Sequence, residues 1–339
     1  AAATHQEIME LVPHNVPTDL TSIRDRAMLT ILADRPTPTT TGGVITEDVD
    51  GSGTSYAMVR NMAHWMVHAT LSGDLDTSSE TPTITVIIDS LVDTVLADSL
   101  LTYGDAVCII GTGRGQQEVC SITSFSLIGA LTYNIVLDRV SQYDTQMHSH
   151  LDGAGVWIGR YGWMKNNAWR SVSSAAYGQT LRVKLLPSAM GHILGPGDAT
   201  PVTVPFLLRY QRPLPPYRLV LVPDTFSGPG TFYPTWARKY AGGDTIVPSW
   251  DCNPYFVMDM RLPADSWDPD NPEDNPYGLT SYYQFGYTEP FAMIPIPLFP
   301  GGYQTFKVRL GTRINWTASD APPTEIHCWE WVEATMTKI

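Results

Sequence analysis

Two histidines and an aspartate alternate in the segment 147–152 (MHSHLD), which makes His148, His150 and Asp152 candidate metal ligands. On a strand these three side chains would lie on one side, as the ligands of a zinc site can. The sequence 153–155 (GAG) that follows favours a turn instead. Two neighbouring histidines without a distant third ligand are usually hydrogen-bonded or surface residues. We therefore expect no metal at this segment.

A second histidine pair, His64 and His68, has the i and i+4 spacing of a metalloprotease helix within the sequence HWMVH. It lacks the glutamate that acts as the general base in that motif. We therefore interpret the two histidines as structural residues that pack beside Trp65.

The stretch 106–116 (AVCIIGTGRGQ) begins like a dinucleotide-binding turn. Such a turn needs glycine at its first, third and sixth positions, followed by a helix whose N-terminus receives the pyrophosphate. Gly111 and Gly113 fit, but Gln116 occupies the sixth position, and 116–125 (QQEVCSITSF) alternates like a strand. Asp138, the candidate ribose-binding acid, follows a second strand-like run with no helix between. The pattern predicts a β-hairpin and no bound dinucleotide.

The hairpin interpretation makes a specific prediction about two cysteines. A three-residue loop at 113–115, with Gly115 in the left-handed conformation, places Cys108 directly opposite Cys120. A cross-strand disulfide and two reduced, packed thiols both fit this register, and the reduced form is favoured for a protein that folds in a cytoplasm. With Cys252 and Cys328 the chain has four cysteines, too few for a disulfide scaffold.

Two acidic segments are candidates for calcium. The segment 48–53 (DVDGSG) begins like a calcium loop, but Val59 stands at the twelfth position, where an acidic ligand is needed. We therefore predict a turn there. The loop 265–274 (DSWDPDNPED) is denser in oxygen ligands. A solvated acidic loop is the more frequent structure for such a sequence, and calcium binding stays an open alternative.

Signatures of covalent catalysis do not emerge. The sequence 51–53 (GSG) is too short for a nucleophile elbow, and 153–155 (GAG) lacks the serine. The paired carboxylates of a glycosidase leave no sequence signature. The residues give no positive sign of an enzyme, and we expect no catalytic residues and no cofactor.

The overall composition limits the function classes. The chain has 339 residues, 43% of them hydrophobic, and a formal net charge of −13. The acidic balance argues against nucleic-acid binding by phosphate neutralisation, because such domains are usually basic along one face. No run of about 18 uncharged apolar residues occurs, so we expect no membrane span. The segment 1–8 lacks the layout of a signal peptide.

The secondary-structure elements that position these residues are expected to be strands. The chain has 27 glycines, 27 prolines and 16 tyrosines, a composition typical of many short strands joined by turns. We predict an all-β, multi-domain fold of barrel and sandwich modules with one minor N-terminal helix at 19–33. The region 1–80 is expected to be mixed and β-rich. The strand rhythm of 81–211 predicts a barrel-like domain, and the stiff sequence 212–217 (RPLPPY) marks the start of the last domain, 212–339.

The order of these segments resembles the C-terminal half of tail hub or tail-tip proteins of tailed phages and gene transfer agents. The likeness covers residues 47–236 and departs from the family at 138–139 (DR) and 144–145 (DT). The matching segments are 84–105 (ITVIIDSLVDTVLADSLLTYGD), the hairpin 106–125, 131–159 (LTYNIVLDRVSQYDTQMHSHLDGAGVWIG), 180–187 (TLRVKLLP) and 212–222 (RPLPPYRLVLV).

This resemblance implies a virion structural protein and no enzyme. It implies a hub domain followed by a fibronectin type III-like domain at 212–339, with Trp236 on an early strand. Such a protein assembles in the host cytoplasm as a homotrimer around the tail axis. In the virion it joins the tail tube to fibres or receptor-binding parts, contributes to host attachment and opens for DNA passage.

Two alternatives remain open. A β-jelly-roll capsid subunit would also be acidic and β-rich, but it would contain two eight-stranded barrels. An extracellular carbohydrate-binding or carbohydrate-cleaving β-protein would use a concave aromatic groove with facing carboxylates. The candidate groove residues are Trp267, Tyr277, Tyr282 and Tyr283.

Overall fold

The computed structural model of the protein divides into two compact units, Ala1–Gln211 and Arg212–Ile339. The structure describes residues 1–11, 28–111, 117–139, 147–170 and 179–206 of the first unit. In the second unit it describes 216–226, 231–238, 255–261, 283–286, 294–295, 305–315, 325–327 and 332–338. Each unit is an all-β structure, as the composition predicts.

The first unit contains fourteen strands and one seven-residue helix in its described part. The strands before the barrel are β1 (Gln6–Glu10), β2 (Met28–Ala33), β3 (Thr40–Asp48) and β4 (Tyr56–Met62). Those of the barrel are β5 (Val67–Ser72), β6 (Thr83–Ile88), β7 (Ala106–Ile110), β8 (Glu118–Leu127), β9 (Thr132–Asp138) and β10 (Gly155–Arg160). They are followed by α1 (Tyr161–Asn167), β11 (Trp169–Arg170), β12 (Thr180–Ala189), β13 (His192–Ile193) and β14 (Val202–Pro205).

Six antiparallel strands close into a barrel in the order β10-β5-β6-β9-β8-β7. Alternate side chains fill its interior, as the period of a strand requires. On β9, for example, Tyr133, Ile135 and Leu137 are buried, whereas the residues between them are only half-buried. The six-stranded closure differs from the eight-stranded barrels that a jelly-roll predicts.

The strand β7 is buried on both of its faces. Cys108 and Ile110 belong to the core inside the barrel, whereas Val107 and Ile109 pack in a second cluster outside it. Trp157 of β10 joins that outer cluster. A strand buried on both sides reads as a continuous apolar run, which explains the sequence AVCII.

The predicted N-terminal helix is wrong wherever the structure describes it. Residues 28–33 form the strand β2, which pairs with β1 on one edge and with β11 on the other, whereas 19–27 lie outside the described residues. The side chains of Leu29 and Ile31 face one core cluster, and that of Leu32 faces another. Burial on both faces gave this segment an apolar pattern that loosely imitates helical periodicity.

A five-stranded sheet lies beside the barrel in the first unit, with the order β13-β12-β3-β4 and β14 paired to β12. The hairpin β3–β4 confirms the turn predicted around 48–53, where Gly51 and Gly53 adopt positive φ angles of 73° and 79°. Pairing of β3 with β12 joins residues on both sides of the expected division at 80/81. Residues before position 80 and residues after position 81 therefore belong to the same sheet.

The second unit has two sheets in its described part. Its strands are β15 (Pro216–Val222), β16 (Thr225–Phe226), β17 (Thr231–Arg238), β18 (Tyr255–Arg261), β19 (Tyr283–Gly286), β20 (Ile294–Pro295), β21 (Thr305–Asn315), β22 (Glu325–His327) and β23 (Val332–Lys338). The sheet β15-β17-β20 has three strands, and β16-β23-β21-β18-β19 with β22 has six. Trp236 lies on β17. The fibronectin type III-like assignment stays a prediction.

None of the helices in the described part of the chain is long and apolar enough to cross a membrane.

Substitution of a single isoleucine on β2 tests the burial of the face that carries Leu29 and Ile31. Ile31 is fully buried, so Ile31→Ala should lower the free energy of unfolding by about 2–5 kcal/mol through lost burial and the cavity it leaves. Ile193, which is 55% exposed, provides the matched control, and Ile193→Ala should cost less than about 0.5 kcal/mol. Urea unfolding followed by circular dichroism measures both values, and equal costs would contradict the burial of β2.

Candidate functional site

The strands before and after the glycine residues of 106–116 pair as the predicted hairpin requires. The strands β7 and β8 pair antiparallel with Cys108 opposite Cys120, which confirms the predicted register. The loop residues 112–116 lie outside the described residues. Both cysteines are reduced and buried inside the barrel, and burial, with a smaller contribution from Glu118, raises the pKa of the Cys108 thiol. A thiol held protonated in an apolar core is a packing residue.

The two histidines of the segment 147–152 make hydrogen bonds to other residues of the chain. His150 exchanges backbone hydrogen bonds with Leu75, and its Nε2 lies 3.2 Å from Oε2 of Glu118. The backbone N–H of His148 donates to the same carboxylate oxygen over 3.1 Å. Asp152 accepts a hydrogen bond from the backbone N–H of Gly73. These contacts hold the segment against the β5–β6 connection and against Glu118 of β8, in agreement with the hydrogen-bonded role expected for these histidines.

The carboxylate of Glu118 also pairs with Arg139. The Nε and Nη2 atoms of Arg139 donate to the two oxygens of Glu118 over 2.7 and 2.8 Å. Both side chains are inaccessible to solvent. The sequence does not reveal this pair. Glu118 lies in a segment that alternates like a strand, and Arg139 stands at a position that departs from the pattern of the tail hub family, so neither residue is marked as part of a buried network.

All five N–H donors of Arg139 have an acceptor. Besides the two bonds to Glu118, the guanidinium donates to the backbone carbonyls of Asp76, Ser79 and His148. These acceptors lie in the β5–β6 connection and in the segment before β10. The arginine at the end of β9 thus ties four parts of the barrel together, and the network is fully satisfied on the arginine side.

The pKa of Glu118 follows from this environment. Burial alone would raise the pKa, but hydrogen bonds from Arg139 and His150, together with the charge of Arg139, outweigh burial and lower it to about 2. A lowered folded-state pKa means that the stabilisation is complete above the ordinary value of 4.5 and is lost as the pH falls through about 2.

A separate cluster of titratable groups joins β1 to the barrel. The rings of His5 and His68 are stacked with their centroids 3.9 Å apart and their planes 11° from parallel. Nδ1 of His5 lies 3.0 Å from Asp34, and Nδ1 of His68 lies 2.8 Å from Asp89. Trp157 contacts His68 edge-on. Burial lowers the pKa of His68, although the hydrogen bond to Asp89 opposes the change.

The ligand atoms of His5, His68 and Asp89 lie within 4.8 Å of one another, which brings together a set of metal-ligating residue types. The nitrogen lone pairs of an imidazole lie in the plane of its ring. Two rings stacked nearly parallel therefore do not direct their lone pairs at one point between them, as a metal would require. In this conformation the cluster holds protein segments together, and the sequence separation of His5 from His68 hides it from motif reasoning.

The remaining candidate residues are placed as follows. His64 stacks on Trp163 with ring centroids 5.9 Å apart and contacts Asn166, so it does not share the surroundings of His68. Asp48 and Asp50 accept backbone hydrogen bonds within their own turn. The acidic loop 265–274, with Trp267, Tyr277 and Tyr282, lies outside the described residues, as do Cys252 and Cys328, and Tyr283 begins β19.

The fold and these clusters define an all-β protein. In its described part, the polar clusters discussed above join strands and connections to one another. No protein-family model matches the chain, and no curated protein matches it either.

Removal of the buried arginine tests the network. Arg139→Met leaves the Glu118 carboxylate buried without its partner, so the free energy of unfolding should fall by about 3–5 kcal/mol. The exposed Arg60 donates to the carbonyl of Asn166, and Arg60→Met, the matched control, should cost less than about 1 kcal/mol. Urea unfolding at neutral pH gives both values. A cost for Arg139→Met no larger than that of the control would show that the network contributes little.

The pH dependence of stability provides an independent test. Below pH 4.5 the wild type should lose up to about 1.4 kcal/mol per pH unit through Glu118, because the folded state resists protonation that the unfolded state accepts. Glu118→Gln removes this titration, so the difference in unfolding free energy between variant and wild type should shrink from pH 6 to pH 3.5. A constant difference over that range would contradict the lowered pKa.

Proposed function

We propose that this chain is a structural protein of the distal tail of a virion, at the tail hub or tip. In that role it joins the tail tube to fibres or receptor-binding parts, and it contributes to host attachment and DNA passage. The order of segments that resembles tail hub proteins supports this proposal, as does the all-β build of both units. The role needs no catalytic residue and no cofactor.

The observation that carries the proposal is the apolar tip of the β8–β9 hairpin. Leu127, Ile128 and Leu131 surround this turn and are 59%, 55% and 38% exposed. The backbone N–H groups of Ile128 and Gly129 both donate to the carbonyl of Thr132, which holds the turn in place. Hairpin tips are usually polar, and grouped apolar residues on a surface mark an interaction site.

The charge pattern favours a second copy of the chain as the partner of this tip. No residue between Glu118 and Asp138 is charged, although the whole chain carries a net charge of −13. Copies of so acidic a chain repel one another over most of their surfaces. An uncharged apolar projection allows contact without adding to that repulsion. A ring of three copies around the tail axis is the arrangement we propose.

Other virion roles are compatible with self-assembly, and the jelly-roll capsid subunit is the main alternative. Its barrels would have eight strands, whereas the closed barrel of the first unit has six. The acidic charge also suits a channel wall that lets DNA pass without holding it, because it repels phosphates. The strand count favours the tail over the capsid, and the acidic charge is compatible with the tail role.

Charged substitutions at the hairpin tip test the assembly role. The full chain should sediment as an oligomer in analytical ultracentrifugation, and the double substitution Leu127→Asp and Ile128→Asp should shift it to a monomer. Ile193→Asp is the control, since Ile193 is equally exposed but lies on β13. Because the tip side chains are exposed, circular dichroism should show unchanged folding in all three proteins.

Two outcomes would contradict the assembly role. One is a wild-type chain that remains monomeric at all concentrations tested. The other is cosedimentation of the monomeric wild type with phospholipid vesicles that the tip substitutions abolish, since the apolar tip would then contact lipid instead of a second copy.

A further inference from the structure

A pocket of about 220 Å³ opens beside the barrel, between β5, β10, the start of α1 and the connection from β6 to β7. Leu96, Leu100 and Ile158, which line it, belong to the barrel core. The pocket is therefore built on the core of the barrel. Pockets for drug-sized ligands measure roughly 300–1,000 Å³, so this one has room for a single ring.

Three aromatic side chains form walls of the pocket. Trp65 is almost fully buried, Trp163 is half-buried, and Tyr103 is 68% exposed at the rim. Stacking on His64 supports the indole of Trp163 from outside the pocket. The indole N–H of Trp65 is buried and makes no hydrogen bond within the described part of the chain. Flat apolar walls of this kind bind ligands with a flat apolar face.

Polar groups of both signs complete the lining. Nε of Arg35 lies 3.4 Å from a carboxylate oxygen of Asp93, and both residues line the pocket. Arg160 lines it too, with its guanidinium 3.9 Å from the centroid of the Tyr103 ring. Nε of Arg160 also donates to Asp105 over 2.7 Å. Each guanidinium thus has one carboxylate partner, and the local charges balance.

This balance restricts the chemistry of the ligand. Asp93 and Asp105 already neutralise the two guanidinium groups, which makes the pocket a poor site for phosphate or a free carboxylate. The aromatic walls suit an organic cation too, but each nearby carboxylate is already paired with a guanidinium and leaves no counter-charge for it. A neutral ligand fits best, with an apolar face for the aromatic walls and hydroxyls for the surrounding donors and acceptors.

We propose that this pocket binds one pyranose ring of a neutral carbohydrate. The ring presents an axial C–H face to Trp163 and Tyr103, and its hydroxyls reach the Arg35–Asp93 and Arg160 side chains. Arg supplies fixed, planar N–H donors and Asp supplies acceptors, the combination that a vicinal diol requires. The site lies within the first unit and does not depend on the assembly role proposed above.

Saturation-transfer difference NMR with the full chain tests this assignment. The probes are the methyl pyranosides of glucose, galactose and N-acetylglucosamine, with tetramethylammonium chloride and inorganic phosphate as charged comparisons; phosphorus NMR follows the phosphate. At least one pyranoside should bind, and its affinity should fall about tenfold or more in both Trp163→Ala and Tyr103→Ala. Exposed Tyr103 can be replaced with little effect on folding, which thermal unfolding verifies.

Tyr56 gives a matched control, since Lys184 Nζ lies 4.5 Å from the centroid of its ring but the residue is not part of the pocket. Tyr56→Ala should leave sugar binding unchanged. Absence of binding by all three pyranosides would overturn the proposal, and so would binding that Tyr103→Ala leaves intact or that Tyr56→Ala weakens equally. Binding of phosphate or tetramethylammonium in preference to the sugars would overturn the neutral-ligand assignment.

Discussion

The ion pair between Glu118 and Arg139 connects strands and connections that meet at one end of the barrel. Two charges without solvent contact are costly to bury, and the cost is offset only when every donor is satisfied. Arg139 achieves this with five hydrogen bonds, to Glu118 and to three backbone carbonyls. Two of the carbonyls belong to the β5–β6 connection and the third to the segment before β10, so the pair links these two segments to the start of β8 and the end of β9.

The barrel forms the base on which other elements of the first unit pack. Its outer face packs against β2 and α1, because Val107, Ile109 and Trp157 point away from the interior. The β8–β9 hairpin extends to its apolar tip from the same strand that carries Glu118. The aromatic pocket rests on the barrel core on another side. Surfaces of different chemistry, such as the hairpin tip and the pocket, can thus be built on the same barrel without a change in its strand pairing.

The sequence predicted the parts of this structure that local patterns control. Alternation and turn chemistry gave the all-β class, the β3–β4 turn and the pairing of Cys108 with Cys120, because strand period and loop length determine them. The prediction of a helix at 19–33 was wrong in the part that the structure describes. Ile31 and its neighbours are buried on two faces of a strand, so their apolar pattern has no clear period. Neither the Glu118–Arg139 pair nor the stacking of His5 on His68 could be predicted, because each joins residues distant in sequence whose types alone indicate a solvated surface.

Electron microscopy of purified particles that contain this chain tests the central proposal most directly. The proposal predicts three copies arranged around the axis at the distal end of a tail, with the tip of each β8–β9 hairpin buried against a neighbouring copy. Copies in the shell of the particle, or copies with solvent around the hairpin tip, would contradict it.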